Sequence, residues 1–267
     1  MHRKKVTHVV LVFAGHDPCG GAGLCADIQA ISSLGAHPAP IVTAITAQNT
    51  QTVRLCEPVD SQLVYEQANT LLVDLPIDAI KIGLIGSIEN GCVIRDLIKM
   101  RPEVPVILDP VINAGTGENL TDPALLRFIQ QELLPRTTVL TPNSVEADLL
   151  APYQKTRAEC AEKLLNLGIK HLLITGGHDE SAQIINHYYS NLGEYMRFRW
   201  SRLPGEFHGS GCTLASSIAA LMAQGYTALQ AISEAQSYTW SSLKYANALG
   251  RGQLIPNRLH DDYETTT

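Results

Sequence analysis

Short apolar runs rich in β-branched residues alternate with amphipathic helical stretches along most of the 267-residue chain. The predicted strands are Val9–Ala14, Ala79–Ile85, Val104–Leu108, Thr138–Leu140 and His171–Thr175. The predicted helices are Ala22–Leu34, Gln62–Leu75, Glu89–Met100, Pro123–Leu134 and Arg157–Leu167. This alternation is typical of an α/β fold, in which helices cover both faces of a mostly parallel sheet.

The second half of the chain adds an edge hairpin and two more helices. The segments "AQIINHYYS" and "EYMRFRW" alternate polar and apolar residues around "NLG", which predicts an antiparallel hairpin. Helices are predicted over Cys212–Ala223 and Ala228–Asn247. No linker or repeat divides the chain, so we predict one domain over residues 1–267, with a polar tail at 260–267 that frays.

Composition excludes several classes of partner. The formal net charge of −6 argues against nucleic acid, whose phosphates require a basic surface. No apolar run approaches the ~20 residues that span a bilayer, so no membrane partner is expected. The six cysteines show neither a CxxC pair nor metal-ligand spacing. Free thiols in the reducing cytoplasm fit this pattern best.

Polar segments follow the predicted strands at four places. They are "GHDPCGGAG" after the first strand, "DPVINAGTG" after Leu108, "TPNSVEA" after Leu140 and "TGGHDE" after Ile174. The carboxyl ends of parallel strands meet at one edge of a sheet, where ligands bind. The four segments therefore predict one binding crevice.

The stretch "FHGSGCTLASSIAAL" predicts a glycine turn that opens a helix. The first N–H groups of a helix have no intrahelical partner, and glycine lets an anion approach them closely. Gly209 and Gly211 would serve this purpose around Ser210. Taken alone, a G-x-G turn favours a glycine-rich helix start without a ligand, and Cys212 is also compatible with a small buried apolar residue.

Two acidic residues of the crevice suggest a metal-bound nucleotide. Asp109 ends an apolar strand, and Glu146 lies three residues after Asn143. Carboxylates at strand ends can hold Mg²⁺, which keeps several of its waters. Taken alone, the spacing of Asn143 and Glu146 favours a helix N-cap with an acidic residue in the first turn.

Taken together, these motifs resemble a known family. "AGHDPCGGAGLCADIQAISSLGAHPAPIVTAITAQNT", "IKIGLIGS", "VILDPV", "LTPNSVEADLL", "LLITGGHDE" and "HGSGCTLASSIAA" stand in the order found in the hydroxymethylpyrimidine/phosphomethylpyrimidine kinases of thiamine biosynthesis. This family belongs to the ribokinase superfamily. The resemblance implies a ribokinase-like three-layer α/β/α fold and two successive ATP-dependent phosphorylations of the hydroxymethylpyrimidine.

The resemblance also implies roles for individual residues. Cys212 takes the catalytic base position, and the turn of Gly209, Ser210 and Gly211 is the anion hole. A thiol at a helix N-terminus is expected to have a lowered pKa. The implied substrate residues are Gln48, which reads the pyrimidine edge, with Asp27, Gly15, Asp17 and Val111. The implied nucleotide residues are Asn143, Thr175, Gly176, Gly177 and His178, and Glu146 and Asp109 are the implied Mg²⁺ residues.

Two departures from the family pattern leave alternatives open. The family commonly has lysine where this chain has Thr175, and K-S-G where it has "NAGTG" at Asn113–Gly117. A pyridoxine or pyridoxal kinase of the same fold is the nearest alternative. More distant ones are a cysteine hydrolase, with Cys212 as nucleophile and His208 or His178 as base, and an inactive ligand-binding module. Family members commonly form homodimers, and a homodimer is expected here.

Overall fold

The computed structural model describes residues 7–115, 117–177 and 182–260, and its strands form one sheet. The strands are β1 (Val9–His16), β2 (His37–Gln48), β3 (Val53–Pro58), β4 (Ala79–Ile82), β5 (Val106–Leu108), β6 (Val139–Leu140), β7 (His171–Ile174), β8 (Gln183–Ser190) and β9 (Tyr195–Ser201). Their order across the sheet is β3-β2-β1-β4-β5-β6-β7-β8-β9. The strands from β2 to β7 in that order are parallel, and β3, β8 and β9 run antiparallel to their neighbours. The predicted strands and the edge hairpin are confirmed.

The helices also follow the predicted order. They are α1 (Gly23–Ser33), α2 (Ser61–Asp74), α3 (Ile88–Lys99), α4 (Pro123–Phe128), α5 (Ser144–Leu150), α6 (Arg157–Leu165), α7 (Ser210–Ala223) and α8 (Ala228–Lys244). The helix predicted over Pro123–Leu134 is regular only in α4. It continues as a π-helical turn over Ile129–Leu133 and a 3₁₀ turn over Leu134–Arg136. Pro135 has no N–H to donate to the Gln131 carbonyl, so a regular α-helix could not continue through Leu134–Arg136.

Strands β2 and β3 were not predicted, and Pro38 and Pro40 explain why β2 was missed. Proline cannot donate a ladder hydrogen bond, so two prolines argue against a strand. In the structure His37 N–H donates to the His8 carbonyl at 2.7 Å, which directs His37 toward β1. The backbone N–H groups of residues two apart point toward the same neighbouring strand. The nitrogen atoms of Pro38 and Pro40 therefore point away from β1. Strand β3 pairs only with Ala44–Gln48, and the missing donors therefore lie on an unpaired edge.

Helices pack on both faces of the sheet, as β1 shows most clearly. Val9, Leu11 and Phe13 point into an apolar cluster that includes residues of α2, α3, α4, α5 and α6. Val10, Val12 and Ala14 point into a second cluster with residues of α1, α7 and α8. Side chains of a strand alternate between the two faces, so a continuous apolar run such as β1 must be covered on both. The three-layer α/β/α architecture follows.

One continuous sheet supports the single-domain organisation, which stays a prediction. In the described part of the chain, no helix combines the length and the apolar character that crossing a membrane requires. The parallel strands β1, β4, β5, β6 and β7 all end at one edge of the sheet. The loops after these strands and the start of α7 meet there.

Candidate active site

Helix α7 begins in a turn that only glycine can form. Gly209 is the N-cap residue, with φ 78° and ψ 23°, in the left-handed region. A Cβ on Gly209 would also collide with the carbonyl oxygen of Gly21 in the loop after β1. The glycine therefore permits the turn and its close contact with the first loop. The N–H groups of Ser210, Gly211 and Cys212 occupy the first turn, where a helix has no internal acceptors for them.

A buried arginine joins this turn to the loop after β1. Arg258, only 1% exposed, donates from Nη2 to the carbonyl oxygens of Gly21 and Gly209. Its Nε donates to Thr213 Oγ1 at 2.8 Å. The arginine thus fixes the relative positions of both glycine segments. Sequence reasoning missed Arg258, because nothing in "PNRLH" distinguishes a buried arginine from a surface one.

The Cys212 thiol lies half-buried at the start of α7, close to Asp109 in the loop after β5. A Cβ added to the neighbouring Gly211 would lie 3.6 Å from Asp109 Oδ1. Burial raises the pKa of Cys212 to about 12, and the charges of Asp109 and Asp27 raise it further against the opposing effect of Lys81. The expectation of a lowered pKa is therefore wrong for this structure. Desolvation and two carboxylates outweigh the helix N-terminus.

Asp27 does not line an open pocket. Its carboxylate forms an ion pair with Lys81 of β4, with Nζ at 2.9 and 3.0 Å from the two oxygens. Ser216 Oγ of α7 donates to the same carboxylate at 2.6 Å. Neither charged side chain is exposed, so the predicted contact of Asp27 with substrate is not available in this structure. Ser216 lies one turn after Cys212, which places the ion pair beneath the same face of α7.

Asp109 and Glu146 lie close enough for the charge of Asp109 to act on Glu146. Both are almost fully buried. Burial raises the pKa of Asp109 to about 6, where Asp27 adds to the effect and Lys81 and Cys212 oppose it. Burial and the charge of Asp109 raise the pKa of Glu146 to about 8. Two buried carboxylates that repel each other form a donor set suited to a divalent cation, which would relieve the repulsion.

The pair of Asn143 and Glu146 also forms a complete helix cap. Asn143 Oδ1 accepts from Val145 N–H and Glu146 N–H, each at 2.9 Å. Glu146 Oε2 in turn accepts from Asn143 N–H at 2.9 Å. This is the capping box of α5, the reading that the spacing alone favoured. One Glu146 oxygen is used in this way, and the role of Glu146 toward a metal stays a prediction.

The predicted nucleotide-side loop follows β7. Thr175 pairs with Asn143 in an isolated bridge, and Gly176 N–H donates to Asn186 Oδ1 at 2.9 Å. Gly177 has φ 130°, and its carbonyl accepts from Arg202 Nη1 at 3.1 Å. His178 lies outside the described residues. Sequence reasoning missed Arg202, which stands after β9 and reaches this loop only through the fold of the hairpin.

Hydrogen-bonded polar side chains of β8, α8 and β9 support the loop after β7. Asn186 of β8 donates from Nδ2 to Gln236 Oε1 of α8 at 2.8 Å. Trp200 Nε1 donates to the same Gln236 oxygen at 3.2 Å. Both Asn186 and Gln236 are buried. The backbone of Gly176 is therefore held by a side chain whose own orientation is determined by α8 and β9.

Asp17 holds the loop after β1 instead of facing an open pocket. Its Oδ1 accepts from Cys19 N–H at 2.9 Å, and its Oδ2 accepts from Ala22 N–H at 2.7 Å and from His208 Nε2 at 2.9 Å. Burial opposes ionisation, but these donors hold the pKa of Asp17 well below its usual range. With a side chain only 2% exposed, Asp17 is not accessible to a substrate in this structure.

The other predicted substrate residues lie at the same edge of the sheet. Gly15 is buried near the end of β1, where a Cβ would lie 2.9 Å from Leu84 Cδ2. Gln48 is partly buried at the end of β2, opposite Val53 of β3. Val111 is partly buried after β5. Their contacts with a pyrimidine stay predictions.

The protein is a ribokinase-like kinase. This class is defined by the order of the strands, the helices on both faces of the sheet and the Gly-Ser-Gly-Cys turn at its carboxyl edge. The chain belongs to the phosphomethylpyrimidine kinase family, whose family model matches residues 17–257. It is therefore a phosphotransferase.

Individual relatives agree with this assignment. The hydroxymethylpyrimidine/phosphomethylpyrimidine kinase of Rhizobium meliloti is 34% identical over 93% of this chain and 95% of its own length. The phosphomethylpyrimidine kinase structure from Clostridium difficile is 28% identical, with a TM-score of 0.76 over 87% of this chain and 98% of its own. The ADP complex of Bacillus subtilis pyridoxal kinase is 25% identical, with a TM-score of 0.86 over 95% of this chain and 98% of its own.

Proposed function

We propose that this chain transfers the γ-phosphoryl group of ATP to the hydroxymethyl group of the thiamine precursor hydroxymethylpyrimidine, and then phosphorylates the monophosphate. The observation that carries the proposal is the arrangement at the start of α7, where a glycine turn places Cys212 and the first N–H groups of the helix beside Asp109. The Rhizobium meliloti relative, whose name covers both substrates, supports the two steps.

The turn would act on the transferring phosphoryl group. Charge spreads over its oxygens in the transition state, and catalysis depends mainly on positioning and electrostatic stabilisation. The N–H groups of Ser210, Gly211 and Cys212 point out of the helix start and can bind such an anion. Because Arg258 fixes the Gly209 carbonyl, these groups would be held in place before the substrate arrives.

Cys212 would take the proton of the substrate hydroxyl group. Burial and the charges of Asp109 and Asp27 disfavour the thiolate and raise the pKa of Cys212, whereas the charge of Lys81 favours the thiolate. Asp109 and Glu146 would hold Mg²⁺, which when bound supplies positive charge to the ATP phosphates and to both carboxylates. The chain's own contribution is the preformed pair of buried carboxylates beside the thiol.

The nucleotide would lie along the loop after β7. Asn186 holds the N–H of Gly176, and Arg202 contacts the carbonyl of Gly177. We propose that Arg202 supplies the positive charge that the family commonly takes from the lysine at the Thr175 position. The ADP complex of the Bacillus subtilis pyridoxal kinase supports a nucleotide site in this fold.

A pyridoxine or pyridoxal kinase is the second candidate. The TM-score to the Bacillus subtilis pyridoxal kinase, 0.86, is higher than the 0.76 to the Clostridium difficile phosphomethylpyrimidine kinase. The hydrolase alternative loses support, because His208 directs Nε2 at Asp17. Family membership also argues against it.

A substrate panel tests the proposal. ATP consumption is measured with hydroxymethylpyrimidine, its monophosphate, pyridoxine and pyridoxal, with Mg²⁺ present, and products are separated by ion-exchange chromatography. The proposal expects turnover of both pyrimidines and formation of the diphosphate. Turnover confined to pyridoxine and pyridoxal would establish the second candidate, and no turnover of any substrate would indicate an inactive ligand-binding module.

We further propose a cytoplasmic homodimer. The edge of the sheet formed by β2 and β3 exposes apolar side chains, since Ile45 and Leu55 are 55% and 56% exposed. Exposed apolar residues on an edge strand favour association with another surface. Light scattering after size exclusion would measure the mass, for which a value near 29.0 kDa would indicate a monomer.

A further inference from the structure

Three potential metal ligands meet beside the start of α7. Asp17 Oδ2 lies 2.9 Å from His208 Nε2 and 3.2 Å from Cys19 Sγ. The three ligand atoms all lie within 4.8 Å of one another. We call these residues the Asp17–Cys19–His208 cluster. His208 comes from a distant part of the chain, which is why cysteine spacing alone indicates no metal site.

The chemistry of the cluster matches a soft divalent cation. Zn²⁺ combines thiolate, imidazole and carboxylate ligands at about 2.0–2.3 Å, typically with four ligands. Ligand atoms around such an ion are separated by about 3–4 Å, as the same bond lengths and tetrahedral angles require. The observed separations from Oδ2 therefore need only small adjustments. Mg²⁺ and Ca²⁺ prefer oxygen ligands and would not use the thiol.

The side chains of the cluster are largely buried and held in place before any metal binds. Asp17 is 1% exposed and His208 is 6% exposed, whereas the half-buried Cys19 leaves a path from solvent. The backbone N–H groups of Cys19 and Ala22 hold the Asp17 carboxylate in place. Gly21 has no room for a Cβ against the His208 ring, so the imidazole is fixed by packing as well. Contacts between ligand side chains and the groups around them orient metal ligands in proteins.

We propose that the Asp17–Cys19–His208 cluster binds Zn²⁺ through Asp17 Oδ2, Cys19 Sγ and His208 Nε2, with a solvent molecule as fourth ligand. On binding, the thiol releases its proton to solvent, and the imidazole carries its proton on Nδ1 instead of Nε2. Coordination by the ion then replaces the two hydrogen bonds that join Asp17 Oδ2 to Cys19 Sγ and His208 Nε2. Thiolate and carboxylate together balance the charge of the ion.

The position of the cluster gives such an ion a structural consequence. Asp17 and Cys19 belong to the loop after β1, and His208 directly precedes Gly209. An ion held by all three would join that loop to the turn of α7, next to the contact between Gly209 and Gly21. This binding proposal does not depend on the proposed function, because it concerns only the residues of the loop and the turn.

Cobalt titration tests the proposal without measuring activity. Protein without a polyhistidine tag is reduced, freed of metal and titrated with Co²⁺, which reports thiolate ligation by a near-ultraviolet charge-transfer band. The wild-type protein is expected to show the band, and Zn²⁺ is expected to displace it. Cys19→Ser should abolish the band, and His208→Gln should weaken Zn²⁺ binding by at least about 10–100-fold.

Matched controls distinguish the cluster from other thiols. Cys25→Ser changes a half-buried cysteine of α1 outside the cluster, and Cys212→Ser changes the thiol beside Asp109. Both variants should keep the band, and circular dichroism should show that all variants are folded. A wild-type protein without the band, or a band that survives in Cys19→Ser, would overturn the proposal and leave the cluster as a hydrogen-bonded connection alone.

Discussion

Lys81 Nζ and Asp27 Oδ1 lie 2.9 Å apart in an ion pair whose two side chains are completely buried. Burial alone would lower the pKa of Lys81, but the charges of Asp27, Cys212 and Asp109 raise it. The pair links β4 to α1, and Ser216 extends it to α7. Three elements around the candidate active site thus depend on one buried interaction.

Removing one partner of this pair should be costly. Lys81→Met leaves the Asp27 carboxylate buried without its counter-ion, and the free energy of unfolding should fall by about 3–5 kcal/mol. Urea denaturation followed by circular dichroism measures the change. The double variant Lys81→Met/Asp27→Asn removes both charges and should recover most of the loss. A double variant as unstable as the single one would contradict this account.

Replacement of Cys212 tests its role as the base. Cys212→Ala should lower kcat by about 10²–10⁴-fold while pyrimidine and ATP affinities change only slightly, because the thiol acts on a proton and not on binding. Steady-state kinetics and calorimetric titration measure the two effects. Cys25→Ala serves as the control and should keep its activity. A Cys212→Ala enzyme with the parental rate would remove the thiol from the mechanism.

Replacement of Gln48 tests recognition of the pyrimidine. An amide offers a donor and an acceptor side by side, so Gln48→Leu would leave polar groups of the ring without partners. Pyrimidine affinity should fall by roughly 1–3 kcal/mol, and ATP affinity should stay nearly constant. Calorimetric titration of each ligand separates the two. An equal loss for both ligands would instead indicate a folding role.

Arg202 offers a test on the nucleotide side. If its guanidinium supplies charge near the Gly177 loop, Arg202→Met should raise the KM for ATP roughly tenfold, the effect of about 1.4 kcal/mol of lost binding. The KM for the pyrimidine should not change. Arg199→Met, at an exposed position of β9 three residues before Arg202, is the matched control. Equal effects of both substitutions would assign the loss to general charge and not to this contact.

The two phosphorylation steps should differ in their dependence on Mg²⁺. The monophosphate brings a second anion toward the γ-phosphate of ATP, and this chain lacks the family lysines at Thr175 and within Asn113–Gly117 that would screen the repulsion. The second step should therefore require more Mg²⁺ than the first. Time courses of mono- and diphosphate at several Mg²⁺ concentrations measure this. A reaction that stops at the monophosphate with ATP and Mg²⁺ in excess would limit the enzyme to one step.

Most of the helices and strands, and the edge of the sheet at which the site lies, could be predicted from the sequence alone. Period-2 and period-3.6 patterns are local properties, so β1, α3 and α8 could be predicted from neighbouring residues alone. The glycine turn at Gly209 was also readable, because its backbone geometry depends on the residues in the turn. The family motifs then indicated the kinase class, which the family model confirms.

The partners of the charged and polar residues depend on the tertiary structure. Asp27 and Asp17 were predicted to line a substrate pocket, but each carboxylate is buried against residues that are distant in the chain. The pKa of Cys212 rises because burial and nearby carboxylates outweigh the local helix terminus. Partners of this kind, like the Arg258 contacts and the Asp17–Cys19–His208 cluster, depend on long-range packing, about which local sequence patterns carry no information.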